Sequence, residues 1–85
     1  MTFKITKSKI KTVDYHGLIL NVELDDEYIA TDLNGSVYAY WGGLTGPWNL
    51  GASWTNGVSG SSRYITNIEF EGDWKESLMA VNNGD

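Results

Sequence analysis

The sequence predicts a mainly β protein, a single domain over residues 1–85 built as a small curled antiparallel sheet or barrel-like fold of about five strands with a short C-terminal helix. Three observations carry this reading. Apolar and polar residues alternate along most of the chain, which is the period of a strand with one buried face. Two Asn-Gly pairs, Asn34-Gly35 and Asn56-Gly57, stand between such segments, and both residue types tolerate the positive φ angles of a tight hairpin turn. Only the residues after Asp73 space their apolar side chains as a helix does.

In "FKITK" (3–7) and "KIKTVDY" (9–15) the apolar positions alternate, but Phe3 and Ile5 are odd-numbered while Ile10 and Thr12 are even. The phase slips near Lys7 and Ser8, which predicts a bulge or bend there. "LILNVEL" (18–24) puts Leu18, Leu20, Val22 and Leu24 on one face. After the acidic turn "LDDE", Tyr28–Asp32 is expected to pair with Ser36–Trp41 across a type I′ turn at Asn34-Gly35. "RYITNIEFE" (63–71) aligns Tyr64, Thr66, Ile68 and Phe70 and reads as the last main strand. Beyond it, Asp73 can cap a helix, Glu76 completes a capping box, and Trp74, Leu78 and Val81 fall at i, i+4 and i+7. Asn82, Asn83 and Gly84 would stop it. About two turns are not stable alone, so Trp74 and Leu78 must dock on the sheet.

Residues 40–62 hold six of the ten glycines, the only proline and three of the four tryptophans. The Asn56-Gly57 pair predicts a second hairpin, joining Trp54-Thr55 to Val58-Ser59 and a return strand that runs towards Arg63. The remaining irregular segment, residues 42–52, carries Pro47, Trp48 and Leu50, too much apolar weight for a disordered stretch. It reads as an ordered, glycine-articulated flap. Trp48 and Trp54 are either tucked into the core, as so small a domain needs, or presented to a partner as anchors. Position favours presentation for Trp48, which comes after Gly46-Pro47, and burial for Trp54, which lies in a predicted strand.

A chain of 85 residues buries only about 60 to 65 % of its unfolded surface on folding. It has no cysteine to brace it, so aromatic packing or association, a homodimer for instance, must supply stability. The absence of disulfides fits a reducing cytoplasm. No apolar run approaches the roughly 20 residues that span a bilayer, and no apolar signal core comes after the first lysines; a soluble, non-secreted protein is expected. Four of the six basic residues, Lys4, Lys7, Lys9 and Lys11, fall in the first eleven positions, and the rest of the chain sets eleven acids against Arg63 and Lys75, a balance of −9. Such a body repels nucleic acid and argues against sequence-specific binding of it. The lysine strip reads first as an edge strand protected against sheet-to-sheet pairing, and second as a contact for phosphate or an acidic partner.

Catalytic signatures are absent. His16, the only histidine, would share a strand face with Asp14, but no nucleophile stands at a matching spacing, and the seven serines form no nucleophile elbow. Asp25, Asp26 and Glu27, with Asp32 and Asn34, lack calcium-loop spacing and read as a solvated turn. The glycines from Gly42 onward lack the lysine and helix of a phosphate loop. Neither an enzyme nor a bound cofactor or metal is expected.

"YIATDLNGSVYAY" (28–40), with Pro47 and a tryptophan after it, and "DWKESL" (73–78) resemble a loose class of small proteins of uncharacterised function encoded by tailed bacteriophages and prophages. In that class an Ile-Ala-x-Asp-x-Asn-Gly-x-Val-Tyr-Ala-aromatic hairpin is followed by a proline and closed by Trp-x-x-Ser-Leu. The first 27 residues lie outside the pattern, and "GGLTG" separates hairpin from proline here. The resemblance implies an accessory protein that binds and inhibits a host protein without catalysis, most simply a bacterial defence component of the kind targeted by anti-CRISPR or anti-restriction proteins, in the host cytoplasm. Candidate partner-binding residues are Trp48, Leu50, Trp54 and Tyr40, with Arg63, Lys7, Lys9 and Lys11; Asp25, Asp26 and Glu27 form the candidate acidic surface. A second expectation is a sponge for a small nucleotide signal, since the aromatic content and glycine loops allow stacking on a base, although few cations are at hand for phosphate. A third is a minor virion or assembly protein.

Overall fold

The computed structural model describes residues 10–43, 46–57 and 60–81. The predicted first strand and its bulge at Lys7-Ser8, the Lys7 and Lys9 side chains, the return strand at Val58-Ser59 and the helix stop at 82–84 lie outside them. The described residues form small antiparallel sheets and no closed barrel.

Strands β1 (Ile10–Tyr15) and β2 (Leu18–Glu23) make a hairpin with Tyr15 opposite Leu18. Its two-residue turn, His16-Gly17, has φ of 50° and 91°, the two positive angles of a type I′ turn. Leu20 and Val22 point inward as expected. On β1, however, the inward residues are the odd ones, Lys11, Val13 and Tyr15, and Ile10 is 58 % exposed. The even-numbered phase read from Ile10 and Thr12 is therefore corrected: tyrosine at position 15, fully buried, decides which face packs.

Strands β3 (Tyr28–Thr31) and β4 (Ser36–Trp41) pair as expected, Tyr28 opposite Tyr40 and Thr31 opposite Val37. The turn differs. Only Gly35 has a positive φ, 91°, and its amide bonds to the Asp32 carbonyl at 2.9 Å while the Asp32 amide bonds to the Ser36 carbonyl. This is the three-residue loop in which a single glycine takes the left-handed position, not a type I′ turn. The Asn34 carboxamide instead accepts the Ser36 amide at 3.0 Å.

Strands β5 (Trp48–Leu50) and β6 (Ser53–Thr55) form a small hairpin around Gly51-Ala52. Gly51, with φ 65°, stands first in the turn, the glycine position of a type II′ turn. The flap is thus itself a hairpin. Trp54 and Thr55 pair with β5 and the Asn56 amide group bonds the Trp41 carbonyl at 3.0 Å, while the expected pairing of Trp54-Thr55 with Val58-Ser59 lies outside the described residues.

Strand β7 (Ser61–Asn67) pairs with the other side of β4. Thr66 lies opposite Val37 but Tyr64 opposite Tyr38, so Ile65 is an extra residue, a bulge. It breaks the single-face alignment expected for Tyr64, Thr66, Ile68 and Phe70, and lets both Ile65 and Ile68 pack on the core.

The C-terminal helix is also corrected. Asp73 caps as expected, accepting the Lys75 amide at 3.0 Å, but it caps only a single 3₁₀ turn, Trp74–Glu76. Strand β8 (Met79–Ala80) then adds to the edge of β3. A two-turn helix gains little by itself, whereas β3 without this partner would leave backbone groups unpaired. The sheet order is β7-β4-β3-β8. One face, with Ile29, Thr31, Val37 and Ala39, packs under the β1–β2 hairpin, where Tyr15, Leu20, Val22, Ile29, Val37 and Val81 make the core. The other face, with Tyr28, Ala30, Tyr38 and Tyr40, lies under the flap, where Gly46 sits against the Tyr28 ring.

Candidate functional site

The flap is fastened to the β3–β4 hairpin at three points. The Trp54 indole N–H donates to the Thr31 carbonyl at 2.9 Å, the Trp54 amide donates to Asp32 Oδ1 at 2.9 Å, and the Leu33 amide donates to the Ala52 carbonyl at 3.0 Å. Trp54 is therefore an anchor, half-buried and fully engaged at its polar edge. Trp48 and Leu50 alternate onto the opposite side of this hairpin and are 47 % and 63 % exposed. Exposed Leu33 stands close by through its bond to Ala52.

Between flap and sheet lies a cleft of about 270 Å³ lined by Asp32, Tyr38, Tyr40, Ser53, Trp54 and Ser62. The register explains the gathering: Tyr38 and Tyr40 project from one face of β4, and Ser62 of β7 lies opposite Tyr40. Tyr40, expected as a surface contact, is only 2 % exposed; it forms the floor of the cleft because β3 and β7 flank its strand on both sides. Desolvation raises the carboxyl pKa of Asp32 above its ordinary value, with the Trp54 amide working against the shift. Burial also pushes the Tyr40 phenol well above the usual tyrosine range, helped by Asp32, Tyr38 and Tyr15. The Tyr40 phenol accordingly stays neutral at any ordinary pH. The cleft thus presents hydroxyls, one carboxylate and a smaller share of ring surface, and no cationic side chain among the described residues lines it.

The other predicted site residues are dispersed. Arg63 emerges on the opposite face, where its Nη2 bonds Asp26 Oδ2 at 2.5 Å and its Nε lies 3.7 Å from Glu23 Oε2. Asp26 is 1 % exposed and also accepts the Glu23 amide at 2.8 Å, so it is a buried structural carboxylate and not part of an acidic surface. Asp25 and Glu27 are exposed as expected. Lys11 points inward; its Nζ is out of solvent and makes no hydrogen bond among the described residues, so it does not join an exposed basic strip. His16 uses Nε2 to donate to the Ser77 carbonyl at 2.8 Å and packs edge-on against Phe70, while Asp14 accepts the Gly17 amide. The groove of about 530 Å³ beside His16 therefore has its one imidazole already engaged.

Sequence reasoning missed Asp32, Tyr38, Ser53 and Ser62. The usable signal was "LGAS": read as a Gly-first hairpin turn, it folds Trp54 back over the β3–β4 hairpin and puts Asp32 beneath it. Among the described residues, no group of three metal-ligating side chains gathers and no helix is long and apolar enough to cross a membrane. Compared with family models, with curated proteins and with solved structures, the chain matches none.

Proposed function

We infer that this chain is a phage-encoded accessory protein that binds and inhibits a host protein in the host cytoplasm, a bacterial defence component, by stoichiometric, non-catalytic association. The observation that carries the reading is the flap. Its inner face is fixed by Trp54 while its outer face leaves Leu50 exposed and Trp48 half-exposed with its ring against Gly57, and large apolar side chains presented in this way are the usual anchors of protein interfaces. The phage-type motifs at 28–40 and 73–78 supply the host and the class of target. The acid-rich body favours a basic surface on that target, such as a nucleic-acid channel.

The nucleotide-sponge reading has less support. The cleft that would stack a base carries Asp32, and Arg63 is engaged by Glu23 and Asp26 on the far side, so a phosphate-bearing ligand would meet a carboxylate and no cation among the described residues.

The test combines capture and inhibition. Purified wild-type chain is expected to hold one host protein at fixed stoichiometry in native mass spectrometry and to inhibit its activity at that ratio. Trp48→Ala should weaken the complex by about 2 kcal/mol or more, with folding stability within about 0.5 kcal/mol of wild type. A variant that binds as tightly as wild type would remove the flap from the account, and a co-purifying nucleotide in place of a protein would favour the sponge.

A further inference from the structure

We propose that the cleft beneath the flap is a receptor for a single guanidinium group, that of an arginine side chain on the bound partner. The source of the arginine rests on the function inferred above; the chemistry of the cleft does not.

Asp32 is the one carboxylate among the described residues that lines the cleft. Its carboxylate is held at the cleft by a 2.9 Å bond from the Trp54 amide to Oδ1, and Oδ2 has no partner among the described residues. No ion pair reaches it among those residues, whose salt bridges both belong to Arg63. Asp32 is partly desolvated, which raises its pKa, and no ion pair among the described residues offsets this partial desolvation. A cation entering the cleft would relieve it.

The surroundings select the kind of cation. Tyr38 and Trp54 line the cleft above the floor made by Tyr40, and the two tyrosine rings are 6.4 Å apart and tilted by 42°. The Trp54 N–H is committed to the Thr31 carbonyl, so the indole offers its ring and not its polar edge. Ring faces attract a cation, and they favour the flat, weakly hydrated guanidinium over the compact ammonium. The remaining groups, the hydroxyls of Ser53, Ser62 and the tyrosines, can each accept a hydrogen bond, matching a group that has five N–H donors and no acceptor. Size points the same way. About 270 Å³ lies just under the roughly 300 to 1,000 Å³ of small-molecule sites, and suits one side-chain head group. Trp48 and Leu50 on the outer face would then make the apolar contacts while the cleft takes the charged one.

The probes are Nα-acetyl-arginine methylamide, its neutral isostere Nα-acetyl-citrulline methylamide and Nα-acetyl-lysine methylamide, titrated into the full chain and followed by the Trp54 indole and Tyr38 resonances. The arginine probe is expected to bind saturably, with both others at least about tenfold weaker. Asp32→Asn, which keeps an oxygen for the Trp54 amide, should lose about tenfold or more in arginine affinity with the indole N–H resonance in place. Ile19→Ala, at an exposed position of the β1–β2 hairpin away from the cleft, should bind the probe as wild type does. Equal binding of citrulline, or full retention in Asp32→Asn, would overturn the cleft as a cation site, and equal binding of lysine would overturn the guanidinium assignment. A chain that binds the arginine probe but captures no host protein would keep the cleft and sink the partner reading alone.

Discussion

Asp32 and Gly35 sit three residues apart in one turn and meet opposite constraints. Gly35 combines a φ of 91° with a position at which a Cβ would come within 2.3 Å of the Ile68 carbonyl oxygen, and its own carbonyl accepts the Ile68 amide. Gly51 also has a positive φ, 65°, but open space around it. Gly35→Ala should therefore cost more than the roughly 1 kcal/mol of left-handed strain expected for Gly51→Ala, and thermal melts of the two variants side by side measure the steric part directly. Asp32 tests electrostatics. Its folded pKa is raised above the ordinary 3.8, so the fold takes up a proton more readily than the unfolded chain, and the carboxylate opposes folding at neutral pH. Asp32→Asn is expected to melt higher than wild type at pH 7. That advantage should shrink as the pH falls through the raised pKa of Asp32 and be gone below 3.8. A melting difference that does not change with pH would mean that Asp32 is adequately solvated in the unbound protein.

At the scale of elements, the strands with strong alternation were legible: β2, β3, β4 and most of β7 fall where the pattern of residues 18–24, 28–41 and 63–71 puts them. Pattern failed where a short segment is placed by its neighbours. "WNL" is too short to have a period, and its pairing with "SWT" depends on a Gly-Ala turn that carries a weaker signal than Asn-Gly. The left-handed His16 was hidden because its turn is His-Gly and not the Asn-Gly or Asp-Gly pair that marks a type I′ hairpin. Residues 74–81 do carry helical spacing, yet Ser77 is completely buried and its Oγ both accepts the Thr31 amide at 2.8 Å and donates to the Thr31 carbonyl at 3.2 Å. That hydroxyl continues the edge ladder of β3 where the two residues of β8 stop, a role no periodicity encodes. The candidate site was half legible for the same reason: Trp48, Leu50 and Trp54 stand out in sequence, whereas Asp32, Tyr38 and Ser62 become neighbours only through register. A chain ending at residue 73 would lose β8, Ser77 and the buried Val81, exposing Tyr28–Thr31 as a bare edge. Size-exclusion chromatography should find it aggregated or unfolded; a soluble monomer with wild-type melting would show that β8 contributes little.

The described residues of the molecule form three thin layers, the β1–β2 hairpin, the four-stranded sheet and the flap, and Thr31 is the residue at which all three meet. Its hydroxyl bonds the buried Tyr15 phenol of the first layer at 2.6 Å, its amide and carbonyl hold Ser77, and the same carbonyl takes the Trp54 indole N–H of the flap. Both lone pairs of that carbonyl are thereby used, which leaves the link to the hairpin resting on the Thr31 hydroxyl. Total stability for a chain of this length is about 4 to 13 kcal/mol, so one orphaned polar group at such a joint matters. Thr31→Val keeps the branched shape and every backbone bond but removes the hydroxyl, leaving the Tyr15 phenol, 1 % exposed, without its shortest partner; the expected cost is about 1 to 3 kcal/mol. Tyr15→Phe orphans the Thr31 hydroxyl instead and should cost a similar amount. With both changes no buried hydroxyl of this pair is left, and the double variant should unfold in urea at a higher midpoint than the sum of the single losses predicts. Simple additivity would mean that the Tyr15–Thr31 bond adds nothing to the hold that the apolar contacts, His16–Ser77 and Arg63–Glu23 have on the hairpin, and that the polar joint through Thr31 unites only the flap and the C-terminal segment.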